Sequence, residues 1–179
     1  MIRVFVNENH DDCGCLVKRG DCMYRTAISL ALAPTVALAV FIYQKDRYDR
    51  EPPDLLLRLF LLGALSAVPV YFIESALSFV NIFSGTLSAL YTAFVVAAAT
   101  EEFSKRFVIV RLVCKNRHYD EKLDGIVYSA FTSLGFASVE NLGYVLSERG
   151  NFVYTGITRG IFAVPAHMLF GITMGYYLS

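Results

Sequence analysis

Five apolar runs occupy most of the chain after its first 25 residues: Thr26 to Tyr43, Leu55 to Val80, Thr86 to Cys114, Gly125 to Leu146 and Ile157 to Leu178. Each is close to the roughly 20 helical residues that a hydrocarbon core about 30 Å thick requires. In lipid only helices and closed barrels satisfy their own backbone, so the runs predict an all-α, polytopic transmembrane bundle of about five membrane helices. Apolar residues make up 55% of the 179 positions, more than a water-soluble fold of this size needs. The alternative, a soluble bundle with core helices apolar on every face, is disfavoured by the number of long runs.

Net charge is zero, which removes any indication of a nucleic-acid partner. Placement of charge says more. Lys45, Arg47, Arg50 and Arg58 crowd the link after the first run, and Lys105, Arg106, Arg111, Lys115, Arg117 and Lys122 crowd the region after the third. The Asn81–Gly85 link has no charge, and the Ser147–Gly156 link has a single Arg. The positive-inside rule then puts the two basic links in the cytoplasm and the N-terminus outside, although Arg3, Lys18, Arg19 and Arg25 argue the other way.

Residues 1–22 form a polar tail of different character, with His10, Asp11, Asp12, Cys13, Cys15 and Cys22. The cysteine spacing matches no zinc pattern, and a disulfide is an option only for an extracellular tail. A third reading is that the tail is not translated. Met23 immediately precedes the first apolar run, and Lys18-Arg19-Gly20-Asp21 can be encoded by a purine-rich ribosome-binding stretch, so Met23 is the expected natural start.

The polar residues inside the apolar runs need an explanation, because an ionisable group near the bilayer centre costs about 2.5–3.5 kcal/mol on insertion scales. Glu101 and Glu102 lie well within the third run, and spacing on a helix pairs Glu101 with Lys105 and Glu102 with Arg106. Neighbouring residues point about 100° apart, so the two glutamates are expected to serve different roles. Mutual neutralisation at a membrane boundary is the bland alternative, but Phe107 to Val110 carry the apolar pattern past the charges. In the fourth run Asp124 is suited to cap the helix, Glu140 and Asn141 follow about 24 Å further on, and Tyr144 lies one turn later. Ser129, Ser133 and Ala137 recur every four residues and would let another helix approach closely. His167 lies about 15 Å into the fifth run, with a Gly171/Gly175 packing face beyond it. Arg159 reads as interfacial, and Glu74 as a partner or pore-lining group.

Carboxylates with an imidazole in a wet membrane cavity suit hydrolysis, a glutamate taking a proton from water while histidine or a metal stabilises the oxyanion. No H-E-x-x-H helix and no G-x-S-x-G elbow is present. Composition and spacing alone leave a hydrolase and a proton or ion translocator level.

At these residues the chain resembles the PrsW family of intramembrane proteases, relatives of the CAAX prenyl endopeptidase and bacteriocin-immunity proteins. The resemblance runs from Ala33-Pro34 through the Tyr43–Pro52 link, the E-E-x-x-K of Glu101, Glu102 and Lys105, and Asp124-Gly125-Ile126-Val127-Tyr128. It continues in Leu134 to Asn141 and in Arg159 to Tyr177 around Pro165-Ala166-His167. It implies a membrane protease domain over 23–179 that hydrolyses peptide bonds in or at the membrane. The expected substrate is a single-span membrane protein of the anti-sigma-factor type, cut first during envelope stress, and the setting is a bacterial cytoplasmic membrane crossed several times. Carried over by position, Glu101 and Glu102 are the paired catalytic glutamates and His167 the motif histidine. Glu140 is a further catalytic candidate, supported by Lys105 and Asn141. If a divalent metal such as zinc takes part, His167, Glu101 and Glu140 are the expected ligands; otherwise a glutamate activates water with His167 assisting. The family usually continues into later helices, one with another histidine, so the chain is expected to be C-terminally incomplete. A non-catalytic member of the same superfamily is the remaining alternative.

Overall fold

The computed structural model describes residues 11–45, 51–113, 122–148 and 150–179. Among these there are helices and no strand: α1 (Asp11–Lys45), α2 (Pro53–Phe79), α3 (Gly85–Leu90), a π-helical stretch (Tyr91–Ala99), α4 (Thr100–Val113), α5 (Lys122–Ser147), α6 (Phe152–Ile161) and α7 (Ala163–Leu178). The run from α3 to α4 is continuous and only Phe162 separates α6 from α7, so the helices make five rods, one for each apolar run. The tail backbone from Asp11 continues α1. The side chains of Cys13, Cys15 and Cys22, together with Cys114, lie outside the described residues.

Met23–Lys45, Pro53–Phe79 and Phe152–Leu178 are each long and apolar enough to cross a membrane. The other two rods carry most of the embedded polar groups, and packing explains how they tolerate them. α5 is the central helix, touching α1, α2, α4, α6 and α7, and Ser129, Thr132, Ser133, Ser138 and Asn141 on it are buried in protein. Leu57, Leu61, Leu65, Val68 and Phe72 instead form an exposed stripe on α2, and Phe103, Phe107, Phe162 and Phe170 are exposed on the other outer helices. Polar inside and apolar outside is the arrangement a lipid solvent selects, and protein neighbours accept from Thr132, Ser138 and Asn141, while Ser129 and Ser133 serve as small residues at a helix contact. The chain is a membrane protein.

Close helix approach depends on residues without side chains. A Cβ on Gly63 would lie 2.0 Å from the Thr132 carbonyl oxygen, and one on Gly135 would lie 1.9 Å from that of Phe60, so α2 and α5 meet backbone to backbone. Between α5 and α7 the expected Gly171/Gly175 face meets the expected small-residue face: a Cβ on Gly171 would lie 2.5 Å from Ser133 Oγ, and one on Gly175 2.3 Å from the Gly125 oxygen.

Ile42, Leu56, Leu59, Ile109, Val127 and Tyr128 pack together, and the Tyr128 hydroxyl donates to the Glu51 carboxylate. The C-terminal parts of α1 and α4 are thereby gathered with the N-terminal parts of α2 and α5 at one end of the bundle. Asp124 is buried in the first turn of α5, which is described from Lys122, and there a carboxylate meets the positive end of the helix. The fifth run is not one helix either. Phe162 (φ −110°) separates α6 from α7, and Pro165, which has no N–H to offer the Ile161 carbonyl, sits in the first turn of α7, where its missing donor costs least.

Candidate active site

α4, α5 and α7 each bring one part of a single hydrogen-bonded network to the same depth. From α4, the Lys105 ammonium donates to Glu101 Oε2 at 3.1 Å, Glu102 Oε1 at 2.7 Å and His167 Nδ1 at 3.0 Å. An ammonium has three donors, and all three are used. Lys105 is fully buried, and its Nζ also lies 4.4 Å from the centre of the Phe136 ring on α5. Burying a lone cation there would be prohibitive; two carboxylates, an imidazole nitrogen and an aromatic face make it tenable.

His167 is held from both sides. Since an ammonium can only donate, Nδ1 is the acceptor, and the proton on Nε2 points to Glu140 Oε2 at 2.7 Å. Nδ1 faces Glu101 as well, 3.6 Å from its Oε2. Glu140 in turn is gripped by Arg159 Nη2 at 2.9 Å, while Arg159 Nε donates to Asn141 Oδ1 at 3.0 Å. The guanidinium lies 3.9 Å from the centre of the Tyr144 ring, and Asn141 Nδ2 donates to the Ala31 carbonyl at 2.7 Å, anchoring the assembly to α1.

The sequence-selected residues Glu101, Glu102, Lys105, Glu140, Asn141 and His167 are thus brought into one network. Three details differ from the sequence reading. Glu101 and Glu102 do not diverge into separate pairs: both turn to Lys105, one from four residues before it and one from three, and Arg106 is exposed. Arg159 has partners that its sequence context did not reveal: α6 packs against α5 and delivers it to Glu140 and Asn141. Glu140 lies behind His167, on the opposite ring nitrogen from the glutamate pair, and the group that can converge on one ion is Glu101, Glu102 and His167. Glu74 accepts from Thr100 Oγ1 at 3.3 Å, tying α2 to the residue immediately before Glu101. The Val96 and Ala97 carbonyl oxygens are also within reach of Thr100 Oγ1, so three acceptors share its one proton at the point where the π-helical turns give way to α4.

Donor atoms of Glu101, Glu102 and His167 lie within 4.8 Å of one another. One nitrogen and two carboxylates are a donor set that zinc accepts. They also already surround a cationic group, the Lys105 ammonium, and the second ring nitrogen of His167 is hydrogen-bonded to a carboxylate, the outer-layer arrangement that metal-binding histidines show. On these grounds the residues fit a divalent metal.

Side-chain exposure falls from 31% for Glu102 through 22% for Glu140 to 13% for Glu101 and 12% for His167, so access to the network is greatest at Glu102. Beside the network, an apolar groove of about 600 Å³ runs between α2 and α4, with Pro69, Val70, Thr100, Phe103 and Ser104 among its walls.

Residues 51–179 match the family described as PrsW family intramembrane metalloprotease. The chain is 43% identical over 151 residues to Protease PrsW of Clostridioides difficile, covering 84% of this chain and 63% of that protein. It is 44% identical to Protease PrsW of Geobacillus kaustophilus over 85% of this chain and 65% of the relative, and 38% identical to that of Bacillus subtilis over 85% and 67%. The chain therefore spans about two thirds of the length of these relatives. No solved structure matches. The matched stretch takes in α2 to α7, including every helix that supplies the network, and on that basis the chain belongs to the PrsW family of intramembrane metalloproteases.

Proposed function

We propose that this chain is the membrane-embedded catalytic region of an endopeptidase that cuts a single-span regulatory protein of the anti-sigma-factor type in a bacterial cytoplasmic membrane. The observation that carries the reading is the linked set Glu101/Glu102–Lys105–His167–Glu140–Arg159, buried to an extent that hydrolysis can use and a purely structural ion pair does not require.

Hydrolysis of an amide needs a base for water, positive charge for the oxyanion and an acid for the leaving amine. Glu102, the most open of the carboxylates, takes the proton as water oxygen bonds to the carbonyl carbon. The oxyanion that forms is stabilised from the side of Lys105. As the C–N bond breaks, the proton held by the glutamate passes to the departing nitrogen, leaving a new carboxylate and a new amine. His167, oriented by Glu140 and through it by Arg159, turns its Nδ1 lone pair inward and holds the Lys105 ammonium in place. Glu101, Glu102 and His167 Nδ1 would hold a divalent metal such as zinc, which when bound supplies Lewis-acid polarisation of the carbonyl. A carboxylate that gives one oxygen to a metal keeps the other for a proton, so the base role and the ligand role are compatible.

The test is co-expression with membrane-tethered anti-sigma factors, reading substrate fragments by size. Glu102→Gln, Glu101→Gln and His167→Ala are each expected to abolish the fragment while the protein remains inserted. Undiminished cleavage by all three rejects the assignment.

A further inference from the structure

Lys105 stands where a metal would stand. Its Nζ is 3.1 Å from Glu101, 2.7 Å from Glu102 and 3.0 Å from His167 Nδ1, and these are the three side chains whose donor atoms converge. A metal bound to the same atoms would sit about 2.0–2.2 Å from each. Such a position falls inside the space the ammonium occupies, and two cations cannot share it.

We propose that the Lys105 ammonium and a divalent cation are alternative occupants of one centre, so that Lys105 keeps the ligands assembled before metal enters and determines how tightly metal is held. The inference rests on the reading of this network as the protease centre. Its first support is electrostatic. Glu101, Glu102 and Glu140, all partly buried, gather with Arg159 as the other cation of the network, and among the described residues Arg159 bonds Glu140 and Asn141, not the glutamate pair. Without Lys105 the glutamate pair has no hydrogen-bonded cation in the network, and its mutual repulsion is left for an entering cation to relieve. Its second support is mechanical. The lysine stem is unbranched and its head lies against the Phe136 ring, so Nζ can withdraw along that face while the α4 backbone stays in place. Metal affinity is then lowered by the fraction of molecules in which the lysine has withdrawn: if that is one molecule in ten or fewer, the apparent Kd is about tenfold or more above the intrinsic value.

The experiment is titration of the detergent-purified full chain with Co²⁺, following its visible absorption, for wild type, Lys105→Met, Lys105→Arg and His167→Ala. Lys105→Met is expected to bind Co²⁺ about tenfold or more tightly than wild type. Lys105→Arg, which retains a cation, is expected to bind no more tightly than wild type, and His167→Ala to lose the absorption band. Should Lys105→Met fail to fold, Lys105→Gln replaces it, and metal-induced stabilisation in a thermal melt gives a second readout. Equal affinity of wild type and the neutral variants overturns the proposal, and so does absence of His167-dependent binding in every protein. Neither result touches the protease reading, which stands or falls on substrate cleavage by Glu101→Gln, Glu102→Gln and His167→Ala.

Discussion

Arg159 shows how little of a side chain's partnership its sequence context declares. It sits among Thr158, Gly160 and Ile161, eight residues before His167, and a cation near the start of an apolar run ordinarily lies at the lipid boundary. In the structure it bonds Glu140 and Asn141 and stacks on Tyr144. By neutralising Glu140, it secures the carboxylate that orients His167, so its effect on chemistry is exerted through two other groups. Arg159→Ala is expected to lower substrate cleavage about 10–100-fold, the range for losing an orienting partner of a catalytic histidine. Arg159→Lys should recover only part of this, because one ammonium cannot copy a fork that uses Nε and Nη2 on different acceptors. Initial cleavage rates in reconstituted membranes, with melting of the same samples, separate the outcomes; a melt as depressed as the rate marks Arg159 as structural. The glutamate pair, Lys105 and His167 were legible from the sequence because charged and imidazole groups stand out in apolar runs. Which oxygen meets which nitrogen was not, since it depends on how far α6 and α7 are offset at Phe162.

Helices here are recognisable from composition, but the contacts between them are not. Gly63 and Gly135 look like isolated glycines in helical patterns, which sequence reading treats as mild defects. Each is in fact where one backbone passes against another, at Thr132 and Phe60. The Ser129/Ser133 and Gly171/Gly175 faces were readable because small residues at four-residue spacing declare a helix-packing surface, whereas a lone glycine declares nothing. The α6–α7 break was equally hidden: Pro165 can kink a helix, start one or sit in a first turn, and only packing of α6 against α1 and α5 selects among these. Gly63→Val is expected to destabilise the protein at the upper end of the roughly 1–3 kcal/mol typical of overpacking, because the obstructing atom is backbone and cannot rotate away. Gly143, with nothing within 4 Å of its would-be Cβ, is the control. Gly143→Ala should be neutral or stabilising by about 0.5–1 kcal/mol. Apparent melting temperatures in one detergent compare the two, and equal behaviour contradicts the close approach of α2 and α5.

The bundle as a unit has two unlike ends, and that asymmetry has a consequence for its orientation. Tyr128–Glu51 and the cluster around Leu56, Leu59 and Ile109 bring the ends of α1 and α4 beside the starts of α2 and α5, the four helix ends that flank the lysine- and arginine-rich stretches of the sequence. The uncharged link between α2 and α3 lies at the opposite end of the bundle, and cations near helix ends are retained on the cytoplasmic face of a bacterial membrane. The basic N-terminal tail weighs against this orientation, but four helix ends packed together cannot be divided between the two faces. Accordingly, in a background with Cys13, Cys15, Cys22 and Cys114 replaced by serine, a single cysteine at Ile82 should react with a membrane-impermeant maleimide on intact cells. A single cysteine at Asp54, exposed at the start of α2, should react only after permeabilisation. The opposite pattern would establish that the tail, and not the basic stretches, orients the protein. Labelling of both positions in intact cells would contradict the fold itself, because α2 is long enough to cross the bilayer once and its two ends cannot then share a side.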